Sequence, residues 1–149
     1  MADLITTLKS EVQGEAFFRS AYYAAIFSRH RSKRKALWQL ETQTKIRIIE
    51  YFQVNNLERP NLGWLALKSS VIGVIYSFFS SNIVLDQIIR KTEYYLEVFR
   101  RLENRASEAD RQFFEYIVAH EVAIRQFIEI ELSNSNENSL KGIKALLND

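Results

Sequence analysis

The chain has 149 residues, a formal net charge of +2 and no cysteine. That length suits about one domain burying roughly two-thirds of its unfolded surface. The charge is too small for general nucleic-acid binding, and the missing thiols exclude disulfides, thiolate zinc sites and iron–sulfur clusters while fitting a reducing compartment. Four Gly and one Pro leave few interruptions and favour long helices over short strands. The N-terminal MADLITTLKSEV lacks the basic start and apolar core of a signal peptide, so the expected location is cytoplasmic.

The first predicted helix runs from about Asp3 to Phe27, with Ile5, Leu8, Val12, Phe18, Tyr22 and Ile26 at helical spacing and Glu15 on the same stripe. Residues 28–35, SRHRSKRK, form a short basic connection, and a short connection implies antiparallel neighbours. The second helix covers about Lys33 to Val54 on the stripe Leu37, Glu41, Thr44, Ile48 and Tyr51. Residues 55–63 hold the only Pro and read as a loop.

Residues 64–81, WLALKSSVIGVIYSFFSS, are apolar but carry Lys68 and several Ser. They fall short of a membrane span, which wants about 20 predominantly apolar residues. They suit a crossover helix that covers the bundle or buries against a second subunit, so a homodimer through 64–81 is the expected assembly and a membrane partner is not. The third core helix spans about Asn82 to Ala106 with Leu85, Ile89, Leu96 and Phe99 inward and Glu93 beside them. SEAD, residues 107–110, reads as the cap of a fourth helix reaching about Leu132 on the stripe Phe114, Ile117, Glu121, Ile124 and Ile128. A polar linker, 133–139, precedes a loosely docked tail helix over 140–148. The whole of 1–149 is expected to be one all-α domain, with its core bundle over about 3–132.

Glu15, Glu41, Glu93 and Glu121 thus interrupt four apolar stripes, one apiece. Glu15 precedes Glu41 by 26 positions and Glu93 precedes Glu121 by 28, giving two hairpins of one design. A carboxylate on a buried helix face costs several kcal/mol unless it is paired, protonated or bound to metal. Four invite a shared explanation, the obvious one being a metal site inside a four-helix bundle.

The segments GEAFFRSAYYAA (14–25), LWQLETQTKIRIIEYF (37–52), KTEYYLEVFRRLENRA (91–106) and FEYIVAHEVAIRQFIEIEL (114–132) resemble the core helices of the ferritin-like superfamily, rubrerythrin-type, over about residues 5–131. The resemblance implies a four-helix bundle with an added crossover helix and a short C-terminal helix. It implies that Glu15 and Glu93 stand for the single glutamates of each hairpin. Glu41 and Glu121 stand for the Glu of each Glu-x-x-His pair, together holding two iron or manganese ions that handle oxygen or peroxide. Both histidines of the pattern are missing: Thr44 and Ile124 occupy their places. His120 does not repair the site, being adjacent to Glu121 and about 100° away around the helix.

Two readings follow from the residues. In one, four carboxylates alone hold a degenerate di-metal centre, a shell suited to hard ions such as Mn or Mg. In the other, the chain is a metal-free helical interaction module. Arg19, Lys45 and Arg125 each follow one of the glutamates by four, the ordinary helix-supporting spacing, and would neutralise them. The basic run Arg29, Arg31, Lys33, Arg34 and Lys35 reads as a solvated loop or an anion site, its charges opposing the dipole of the second helix. No Gly-rich phosphate loop and no recognisable triad spacing supports hydrolase or kinase chemistry.

Overall fold

The computed structural model describes residues 1–149 apart from Ala25, Arg29, Phe79, Ser80, Asn134 and Asp149. Among the described residues there are six α-helices and no strand: α1 Ala2–Ala24, α2 Arg31–Val54, α3 Gly63–Tyr76, α4 Ser81–Glu103, α5 Arg111–Leu132 and α6 Lys141–Leu147. The protein is all-α, as its composition predicts. Two compact units divide the chain, one of Ala2 with Leu4–Phe79, the other of Met1 and Asp3 with Ser80–Asp149. The division falls at the end of the expected crossover segment.

In the N-terminal unit the buried face of α1 is Leu4, Leu8, Glu11, Glu15 and Phe18, a run of alternating four- and three-residue steps that keeps to one side of a helix. The buried face of α2 is Leu37, Leu40, Glu41, Thr44, Ile48 and Phe52. Three cross-helix contacts fix their relation. Arg34 Nη1 donates to the Ala21 carbonyl at 3.1 Å. The Tyr22 and Trp38 rings lie 5.5 Å apart, and Lys45 Nζ pairs with Glu15 Oε2 at 3.2 Å. Positions later on α2 meet positions earlier on α1, so the two helices are antiparallel.

Helix α1 stops at Ala24, short of the expected Phe27, and Ile26 and Phe27 are exposed. The Arg34 guanidinium takes a last-turn carbonyl, a common way to satisfy a helix C-terminus. The chain then turns at Ser28, whose carbonyl accepts from Arg31 N at 3.0 Å. The end of α2 is a Schellman motif: Leu57 N donates to the Phe52 carbonyl at 2.8 Å and Asn56 N to the Gln53 carbonyl at 3.1 Å, with Asn56 at φ 52°. Asparagine tolerates that left-handed position better than most residues.

Helix α3 returns along α1 in the same direction. Ser70 Oγ donates to the Ala16 carbonyl at 3.5 Å, and Tyr76 meets Phe17 with ring centroids 6.0 Å apart. Small residues let the backbones close up: a Cβ at Gly73 would strike the Phe17 carbonyl and the Ser20 hydroxyl. The helix ends at Tyr76 and is shorter than the predicted 64–81, of which Phe79 and Ser80 lie outside the described residues. No described helix is long and apolar enough to cross a membrane.

In the C-terminal unit α4 buries Thr92, Leu96, Val98 and Phe99, and α5 buries Phe114, Ile117, His120, Glu121, Ile124, Phe127 and Ile128. The predicted helical cap at 107–110 is instead a turn. Ser107 Oγ accepts from Asp110 N at 3.2 Å and donates to Asp110 Oδ2 at 2.5 Å, and α5 begins only at Arg111. The tail helix is docked more firmly than expected, since Ile143 of α6 is fully buried.

Candidate carboxylate site

The four predicted glutamates meet four different fates. Glu15, on α1, is buried but already compensated. Its Oε1 lies 3.3 Å from Arg19 Nη1 and accepts from Trp38 Nε1 at 3.3 Å, while Oε2 lies 3.2 Å from Lys45 Nζ. Lys45, expected to neutralise Glu41 one turn before it, reaches across to α1 instead. Two cations and an indole N–H satisfy a buried carboxylate as a structural charge network does.

Glu93 does not lie on the buried face of α4. Its side chain is 60 % exposed and pairs with Arg125 Nη2 at 3.4 Å, and Arg125 also holds Glu129 Oε1 at 2.8 Å. Thr92, one position earlier, occupies the inward register with Leu96 and Phe99; one residue on a helix is a rotation of about 100°. Glu121 is buried on α5 as predicted. The positions that would carry the histidines of a Glu-x-x-His pair are core: Thr44 Oγ1 is turned back on the Leu40 carbonyl at 3.0 Å, and Ile124 is buried.

Glu41 has a partner outside the four expected glutamates. Glu11, on α1, is almost fully buried, and its carboxyl oxygens come within 4.8 Å of those of Glu41. The two side chains are hydrogen-bonded to each other, and Ser10 Oγ donates to Glu11 Oε1 at 3.2 Å. Gly14 makes the room, because a Cβ there would run into the Glu41 carboxyl group.

Burial pushes the Glu11 carboxyl up to about 8, against the hydrogen bonds from Glu41 and Ser10, which favour the ionised form. At neutral pH the pair therefore holds a proton, which belongs to both carboxyls rather than to either. Glu11 was legible in principle. It precedes Glu15 by four and continues the Leu4–Leu8 stripe, so the buried face of α1 passes through Glu11 rather than the expected Val12.

His120 is a further buried titratable group, on α5 of the C-terminal unit. Burial lowers its imidazole to about 3, so it is neutral at physiological pH. It and Glu121 are both inside because the buried face of α5 is wide, taking adjacent positions at 120–121, 123–124 and 127–128. The basic loop is largely spent on the fold. The Arg31 guanidinium sits 4.3 Å over the Tyr22 ring, Arg34 caps α1, and Arg29, the first residue of the proposed anion site, lies outside the described residues.

No family model, curated protein or solved structure matches the chain.

Proposed function

We propose that the chain is a divergent ferritin-like helical protein whose metal handling rests on the Glu11–Glu41 pair rather than on four separate glutamates. The observation that carries this reading is two hydrogen-bonded carboxyl groups, both buried, on facing helices of one hairpin. Two buried carboxyls next to each other are stable only with a proton or a cation between them. A divalent ion is the cation that two carboxylates neutralise.

The donor set fits a hard, oxygen-preferring ion such as Mn(II), Fe(II) or Mg(II), with water completing the shell. It does not fit the two-metal centre that the four glutamates suggested, because Glu15 is already balanced by Arg19 and Lys45 and Glu93 faces solvent with Arg125. A redox-active ion bound here would supply oxygen or peroxide chemistry. The chain's own contributions are carboxylate donors, a dry surround and a proton that must leave. Since the pair is protonated up to about pH 8, affinity should climb with pH and level off above that value.

Titration of chelator-stripped protein with Mn(II), followed by elemental analysis, tests this. One ion per chain, lost in Glu41→Gln, is the expected result; no stoichiometric ion in the wild type would overturn it.

The metal-free reading is favoured by a specific observation as well, the cations and indole that satisfy Glu15. In that case the chain is a helical interaction protein acting as a homodimer in a reducing compartment, and Glu11–Glu41 is a buried acid pair that fixes how α1 and α2 register.

A further inference from the structure

Helix α3 has two apolar faces, and only one of them is used within the N-terminal unit. Ser69 and Gly73 are buried, and Gly73 and Ser70 lie against α1. On the opposite side of the helix Trp64, Leu67, Val71 and Val74, with Ile75 beside them and Phe78 in the turn that follows, are between 41 % and 79 % exposed. Within the helix their spacing of three, four and three is that of a coiled-coil a/d seam, and Phe78 follows four positions on, just past the helix end. Lys68 is the single charge in Gly63–Tyr76.

We infer that this outward seam of α3 docks on the same seam of a second copy of the chain, antiparallel, about a twofold axis at Val71. The inference names the partner surface for the metal-free reading, on which it rests only for the word homodimer, and it stands whether or not an ion binds. The exposed part of the six side chains amounts to roughly 600–700 Å² per copy. Two such seams together can bury at most about 1,300 Å², within the range that a stable dimer needs.

The profile is self-complementary under that axis. Trp64 meets Phe78 of the second copy, Leu67 meets Val74 and Ile75, and the small Val71 meets itself, so bulk lies at both ends and the helices approach closely in the middle. An isologous contact of this kind closes at two copies. The antiparallel order also sets Lys68 opposite the apolar position 74 and keeps the two ammonium groups apart. The seam offers a charged partner nothing to pair with. It lacks the basic polar face of helices that lie on membranes, since the face opposite the seam is packed on α1.

The absence of cysteine gives a clean test, because one introduced thiol reports one position. Sedimentation equilibrium of the full chain should give twice the 17.5 kDa of the monomer, and Val71→Glu should weaken the association at least 100-fold with an unchanged helical circular dichroism spectrum. Val71→Cys should oxidise to a disulfide-linked dimer, whereas Trp64→Cys should not. A monomeric wild type overturns both the inference and the homodimer reading. A dimer indifferent to Val71→Glu overturns the seam but leaves self-association standing. Rapid disulfide formation at position 64 overturns the antiparallel order. A monomer that binds anionic phospholipid vesicles through α3 replaces the second copy by a membrane surface.

Discussion

Replacing Glu11 by glutamine should make the protein more stable at neutral pH and abolish a pH dependence that the wild type shows. In the folded state the Glu11 carboxyl keeps its proton up to about 8, and in the unfolded chain it ionises near 4.5. Between those values the folded state binds one more proton than the unfolded state. Stability therefore falls as pH rises, by about 1.4 kcal/mol per unit. His120 acts in the opposite sense. Its folded value of about 3 lies below the ordinary 6.5, so the unfolded chain binds the extra proton in that window and stability rises with pH up to 6.5.

The two slopes offset each other between pH 4.5 and 6.5. From about 6.5 to about 8 the slope from the Glu11–Glu41 pair is no longer offset by His120, a loss of roughly 2 kcal/mol over that interval. Glutamine keeps the size of the side chain and a donor for the Glu41 carboxylate, but gives the unfolded state nothing to ionise. The variant should hold its stability across that interval and exceed the wild type near pH 7.5 by about 2–4 kcal/mol. Urea unfolding in the presence of a chelator, at steps across this range, measures both. A wild type that is flat there, or a variant with the same slope, would refute the idea that a buried proton sits on this pair.

Other substitutions test neighbouring contacts. Lys45→Ala strips the less exposed of the two cations from buried Glu15 and should cost about 2–3 kcal/mol by denaturant unfolding, while Arg19→Ala, at a half-exposed site, should cost under about 1 kcal/mol. Gly73→Ala should destabilise by about 1–3 kcal/mol despite better helix propensity, because the new methyl meets the backbone of α1; a gain in melting temperature would contradict the close α1–α3 approach. Gly14→Ala drives a methyl into the Glu41 carboxyl, and it should weaken Mn(II) binding at least tenfold while changing stability by less than about 1 kcal/mol, the helix gain offsetting the crowding.

The helices were legible because four Gly and one Pro leave few interruptions, and so was the burial of Glu15, Glu41 and Glu121. What failed was phase. On α1 the face turns through Glu11 rather than Val12, and on α4 through Thr92 rather than Glu93. A one-residue shift moves a side chain by about 100°, and aromatic residues on both sides of α1 and α4 left the phase underdetermined. The i+4 cations misled for a related reason. Lys45 and Arg125 are long enough to leave their own helix and pair across, so Glu15 took both charges expected for it and for Glu41. The carboxyl pair itself required knowing that Gly14 faces Glu41, and a glycine in a helix gives no sign of which side chain uses its space.

The most direct test of the central claim is calorimetric titration of the chelator-stripped protein with Mn(II) in buffers of different ionisation enthalpy, which counts ions and released protons together. The account predicts one ion per chain, about one proton released per ion below pH 8, and loss of both in Glu41→Gln. Binding with no proton release, or binding unchanged in Glu41→Gln, would contradict it.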